Sequence, residues 1–93
     1  MKGTIEKLIE TQGGGEARVK TESGVEVVSV GKFYLCLPEW GQDEFEDRLK
    51  DYHREEFSHP PIIVGDEVKF EKIDDTLTVT EIVYKPHDPR KKA

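Results

Sequence analysis

"EARVKTE" (residues 16–22) and "VEVVSV" (25–30), with Ser23-Gly24 between them, decide the fold. In the first piece Ala17, Val19 and Thr21 alternate with Arg18, Lys20 and Glu22. Successive side chains on a strand point to opposite faces, so this period of two separates an apolar face from a charged one. Ser-Gly is a two-residue turn signal, and the valine-rich piece after it reads as the returning strand. A loop at Ser23-Gly24 sets Val19 opposite Val28 and Ala17 opposite Val30. Arg18 and Lys20 then lie on the outer face, opposite Ser29 and Val27.

The flanking segments extend this hairpin. Upstream, "KGTIEKLIE" (2–10) carries Ile5, Leu8 and Ile9 among charges and reads as a strand or a bulged strand. "TQGGGE" after it is a flexible turn. Downstream, Gly31-Lys32 breaks the alternation and "FYLCLPEW" (33–40) has no clean period. Phe33, Leu35 and Leu37 are expected in the core, Tyr34 and Trp40 at the surface. Residues 43–57 read as the one helix. Phe45, Leu49 and Tyr52 form a narrow apolar stripe, Asp43 and Glu46 have capping-box spacing, and His59-Pro60-Pro61 is a stop. "IIVGDEVKFEKI" (62–73) is a strand led in by Gly65-Asp66, with Val68 and Phe70 on one face. Asp74-Asp75 turns into a last strand at 76–85.

The order β-β-β-α-β-β predicts a mainly β protein, a five-stranded antiparallel OB-fold barrel with one helix between strands three and four. One domain over residues 1–85 is expected, with a helical insertion at about 41–59 and a flexible basic tail at 86–93. A chain of 93 residues has room for one modest core. No apolar run approaches the roughly 18 residues of a membrane span, and the N-terminus lacks the apolar stretch of a signal peptide. The single cysteine permits no internal disulfide, so a cytoplasmic protein without a membrane partner is expected. The net charge of −6 argues against a generic DNA binder, but residues 43–57 alone carry −4 of it.

Three pieces, "KGTIEKL", "ARVKTESGVEVVSVGK" and "IIVGDEVKFEKIDDTLTVTEIVYK", resemble the S1-like OB domains. The closest likeness is to the bacterial translation initiation factor one family. That family opens with G-T-V-x-E-x-L, has an R-V-x-x-x-N-G-x-E-V hairpin and a G-K after strand three, and starts strand four with V-G-D-x-V. "PIIVGDEVKF" is also similar to the OB domain of the small-subunit-maturation GTPases, and cold-shock proteins share the K-G-T-V opening. The likeness covers about residues 2–34 and 62–85 and stops between 35 and 61. It implies an OB barrel and RNA binding in a translational or ribosomal setting. Two departures stand out. Gly31-Lys32 is followed by Phe33-Tyr34-Leu35 where the initiation factor has basic residues. Strands two and three also lack the stacking aromatics of cold-shock proteins.

Two functions from different classes follow. In the first, Lys2, Arg18, Lys20 and Lys32 track the phosphates of single-stranded or ribosomal RNA, with Tyr34 as a displaced stacking group. In the second, Trp40, Glu44, Asp47 and Asp51 dock a protein partner through the acidic helix. A continuous basic stripe across Lys2, Arg18, Lys20 and Lys32 would favour the first; a stripe broken by Glu16, Glu22 and Glu26, next to an exposed apolar patch, would favour the second. Cys36, His53, His59 and His87 have neither metal-ligand nor nucleophile-base spacing. The triple glycine lacks the Gly-Lys-Ser/Thr of a phosphate cradle. A non-catalytic module is therefore expected, with no metal and no cofactor.

Overall fold

In the computed structural model, which describes residues 1–12 and 14–91, strand β1 spans Lys2–Thr11. Ile5 and Leu8 are three residues apart, so a regular strand would send them to opposite faces. A bulge between Ile5 and Lys7 shifts the register, and both side chains are buried. Gly13, inside the glycine-rich turn, and residues 92–93 of the expected tail lie outside the described residues.

Strands β2 (Gly14–Thr21) and β3 (Gly24–Ser29) form the hairpin. Its turn is Glu22-Ser23 rather than Ser23-Gly24. The Thr21 hydroxyl donates to the Gly24 carbonyl (3.0 Å) and accepts from the Ser23 N–H (3.3 Å). Gly24, at φ 135°, supplies a corner that side-chain-bearing residues avoid. Ala17 therefore faces Val28, Val19 faces Glu26, Arg18 faces Val27 and Lys20 faces Val25. Each partner moves by two residues, an even step, so the inner and outer faces stay as the alternation requires.

β6 (Glu67–Ile73) and β7 (Thr76–Val83) pair antiparallel, and β6 closes onto β1, giving a barrel in the order β1-β2-β3-β7-β6. Such a mainly β, closed five-stranded barrel with a single helix is compatible with an OB-like fold. Four seams are antiparallel, as expected. The fifth, β3 to β7 at Ser29–Thr78, is parallel. Alternation of direction cannot close around an odd number of strands, so one seam must be parallel. Val19, Val28, Val68 and Phe70 fill the interior with no measurable exposure. At Gly3 the barrel wall is so close that an added Cβ would meet the Lys20 carbonyl oxygen and Val19 Cγ1, both at 2.5 Å.

The segment between β3 and β6 begins and ends on a short parallel pair, β4 (Tyr34–Leu35) with β5 (Pro61–Ile62). The Tyr34 N–H donates to the Pro60 carbonyl (3.2 Å) and the Cys36 N–H to that of Ile62 (3.1 Å). Between them lie a 3-10 turn (Pro38–Trp40) and helix α1 (Gly41–His53). The helix starts two residues before the expected Asp43, because Pro38 already sets helical φ in the preceding turn. The capping box does not form. No side chain caps the helix, and Asp43 and Glu44 instead sit in its first turn, where the helix dipole favours acids.

The helix also ends early. Glu55 enters the left-handed region (φ 63°), its N–H bonds the Tyr52 carbonyl, and the Glu56 N–H bonds that of Asp51, both at 3.0 Å. This is a Schellman closure with glutamate at the position usually held by glycine. No helical residue between Gly41 and His53 is fully buried, and the helix packs on the 3-10 turn and β5 rather than plugging the barrel.

The expectation of a loose tail is corrected up to residue 91. Arg90 is only 3% exposed. Its guanidinium meets both Asp66 oxygens (2.6 and 2.7 Å), both Asp88 oxygens (2.8 and 3.0 Å) and the Pro61 carbonyl (3.0 Å). The cation also lies 5.2 Å from the Tyr84 ring centroid, and His53 Nε2 donates to the Pro89 carbonyl (2.8 Å). These bonds strap the segment after β7 to α1, β5 and the start of β6. Among the described residues no helix is long and apolar enough to cross a membrane.

Candidate functional site

Lys7, Arg18 and Lys20 share the outer surface of β1 and β2. The β1 bulge that buries Ile5 and Leu8 also places Lys7 opposite Arg18, and Thr4 falls opposite Lys20. Beside them on β3, Val27 and Val25 are 56% and 54% exposed. Among the described residues Lys7, Arg18, Lys20 and Lys32 make no ion pair. Lys2 differs: it is held 3.4 Å from Glu67 at the β1–β6 seam. Of the three acids that could break the stripe, Glu26 pairs with Val19 and so belongs to the inner face at the barrel mouth. Glu22 sits in the hairpin turn beyond Lys20, whereas Glu16 shares the outer face of β2 with Arg18 and Lys20 and stands between Arg18 and Gly14, so it interrupts the basic row on the side of the groove.

The outer face runs toward a groove of about 810 Å³, where the β1–β2 turn meets the inserted segment. Phe33, Tyr34, Trp40, Phe57 and His59 line it together with Lys32 and Arg48. Tyr34 stacks on Phe57 with ring centroids 4.0 Å apart and planes 24° apart. Phe33 and His59 meet at 5.5 Å, tilted by 57°. The Arg48 guanidinium lies 5.5 Å from the ring centroids of both Tyr34 and Trp40 and is anchored by Glu44 Oε1 at 3.0 Å from its Nε. Cation–π contacts of this kind hold the helix over the groove and order its walls. Trp40, 36% exposed, leaves part of its ring open to the solvent.

Residues expected to serve different partners thus meet in one place. Lys32, Tyr34 and Trp40 line the same groove, and Glu44 acts there through Arg48. Asp47 stands on the solvent side of α1 and Asp51 is half-buried on its flank. Leu35 and Leu37 are buried as expected, whereas Phe33 is half-buried at the edge of the core. Sequence reasoning missed Lys7, Arg48, Phe57 and His59. The signal for Lys7 was the Ile5–Leu8 spacing, which demands a bulge. Phe57 lies beyond the end of α1 at His53, where no helical period marks its direction.

Burial pushes the Cys36 thiol above its ordinary value, with Arg48 opposing the shift, so this cysteine is a poor nucleophile. The Tyr84 hydroxyl is likewise pushed up by burial to about 12. Among the described residues no group of three or more His, Cys, Asp or Glu side chains could hold a metal ion. The arrangement offers exposed cations on β1 and β2 and aromatic rings along the groove. Comparison with protein-family models, curated proteins and solved structures finds no match.

Proposed function

We propose that this chain is a non-catalytic module that binds single-stranded RNA in the cytoplasm, in a translational or ribosomal setting. The observation that carries the reading is the row of cations Lys7, Arg18 and Lys20, none in an ion pair among the described residues, on a face that runs past Glu16 to a groove walled by aromatic rings. A strand rises about 3.3 Å per residue, so the path from Gly14 at the groove to Lys20 is about 20 Å, a length suited to a few nucleotides. Cations along the path meet phosphates, and ring faces at its end accept bases whatever their sequence. The likeness to S1-like OB domains supports the same reading. The overall charge of −6 does not oppose it, because exposed charges beyond about 8 Å are screened at physiological salt.

The test is fluorescence anisotropy with a labelled single-stranded RNA across a salt series. Four phosphate contacts, from Lys7, Arg18, Lys20 and Lys32, predict a slope of log K against log salt of about −2.8. Replacing Arg18 and Lys20 by alanine should bring the slope to about −1.4. Absence of binding at low salt, or binding indifferent to salt, rejects the reading. It would leave the docking of a protein through Trp40 and the acids Glu44, Asp47 and Asp51 of α1.

A further inference from the structure

Two carboxylates open into the aromatic groove, Glu10 from the end of β1 and Glu56 from the turn that closes α1. Both are exposed, and neither is in an ion pair among the described residues. Carboxylates repel phosphate, so a groove meant only for the backbone would not carry them. A carboxylate is a pure acceptor, with lone pairs to offer and no proton to donate. A ligand that satisfies this groove therefore has a flat ring for Phe33 and Trp40, N–H donors for Glu10 and Glu56, and a phosphate for Lys32.

We infer that the groove selects a base bearing an exocyclic amino group, cytosine before uracil, from the bound strand. The inference rests on the RNA-binding reading and deepens it. Cytosine and uracil have the same ring and stack alike, but differ at the edge. Cytosine presents its N4 amino group as a donor, the group that Glu and Asp side chains accept from. Uracil presents O4, an acceptor that carboxylates repel, and has a single donor at N3–H between two carbonyl oxygens, against the two N–H of the cytosine amino group. Stacking supplies sequence-tolerant affinity, and the two glutamates convert it into a preference. The groove's place at the end of the basic row puts the selected base at one end of the strand.

Twelve-residue oligocytidylate and oligouridylate, titrated into the full chain by fluorescence anisotropy at one salt concentration, test it. Oligocytidylate should bind about five- to tenfold tighter, the discrimination of one good edge contact. In the double variant Glu10→Gln, Glu56→Gln the ratio should fall to about one, because glutamine donates as well as accepts. Both positions are exposed, and an unchanged melting temperature would verify the variant's fold. Equal binding of the two oligomers by the native chain overturns the base preference and leaves the RNA-binding reading standing. A preference that survives in the variant overturns the assignment to these glutamates. Binding of neither oligomer overturns both readings.

Discussion

Replacing Arg90 by methionine keeps an unbranched side chain at this position and removes the charge that lies over the Tyr84 ring. A guanidinium has five N–H donors, and here five bonds use them, two to Asp66, two to Asp88 and one to the Pro61 carbonyl. Asp66 is 7% exposed, and without Arg90 its carboxylate keeps one bond, from the Ile63 N–H at 2.9 Å. Breaking a buried pair by removing one partner costs about 3–5 kcal/mol, because the other charge stays buried and uncompensated. A chain of this size has about 5–14 kcal/mol of total stability, so the loss takes a large share of it. In urea, with a slope near 1.5 kcal/mol per molar, the midpoint should fall by about 2–3 M. Asp66→Asn and the Asp66→Asn, Arg90→Met double variant complete the cycle. The double variant should lose less than the two single losses added, since it removes the Asp66 charge along with its partner and leaves only Asp88 without its cation. A loss below about 1 kcal/mol for Arg90→Met would be that of an exposed ion pair and would refute the strap.

Three further outcomes are expected. The hydrogen bonds from Arg90 hold the Asp88 carboxyl below its ordinary value of 3.8, so the unfolded chain takes up a proton there more readily than the folded one. Its stabilising contribution is then complete above that ordinary value and lost as pH falls through the lower folded value. Acid titrations of stability should show this loss in the native chain, and Asp88→Asn should remove that part of it. Glu55→Gly should stabilise by about 0.5–1 kcal/mol in thermal or urea unfolding, since glycine takes the left-handed position without the Cβ clash; a net loss would show that the glutamate side chain is needed. Gly3→Ala should destabilise by about 1–3 kcal/mol through overpacking against the Lys20 carbonyl and Val19, and a neutral result would mean that β1 and β2 separate easily there.

The barrel was legible in local patterns. Alternation over 16–30 set the inner and outer faces of β2 and β3, and the even register step left Arg18 and Lys20 outside, as read. Val68 and Phe70 faced inward as their spacing required. The period of a strand is a property of neighbours in the chain, so a sequence displays it directly. The parallel β3–β7 seam was implied by an odd strand count once closure was assumed. Little of the groove was legible. Tyr34 meets Phe57 and Phe33 meets His59 only because β4 pairs with β5. Two-residue strands leave no periodic trace. Arg90 read as one charge in a basic tail, yet its partner Asp66 lies 24 residues earlier, in what read as a strand lead-in. Residue identity and spacing determined which side chains face in or out of each strand. Which distant side chains meet was decided by chain closure, where the approach of separate segments, not the period of any one, sets the contact.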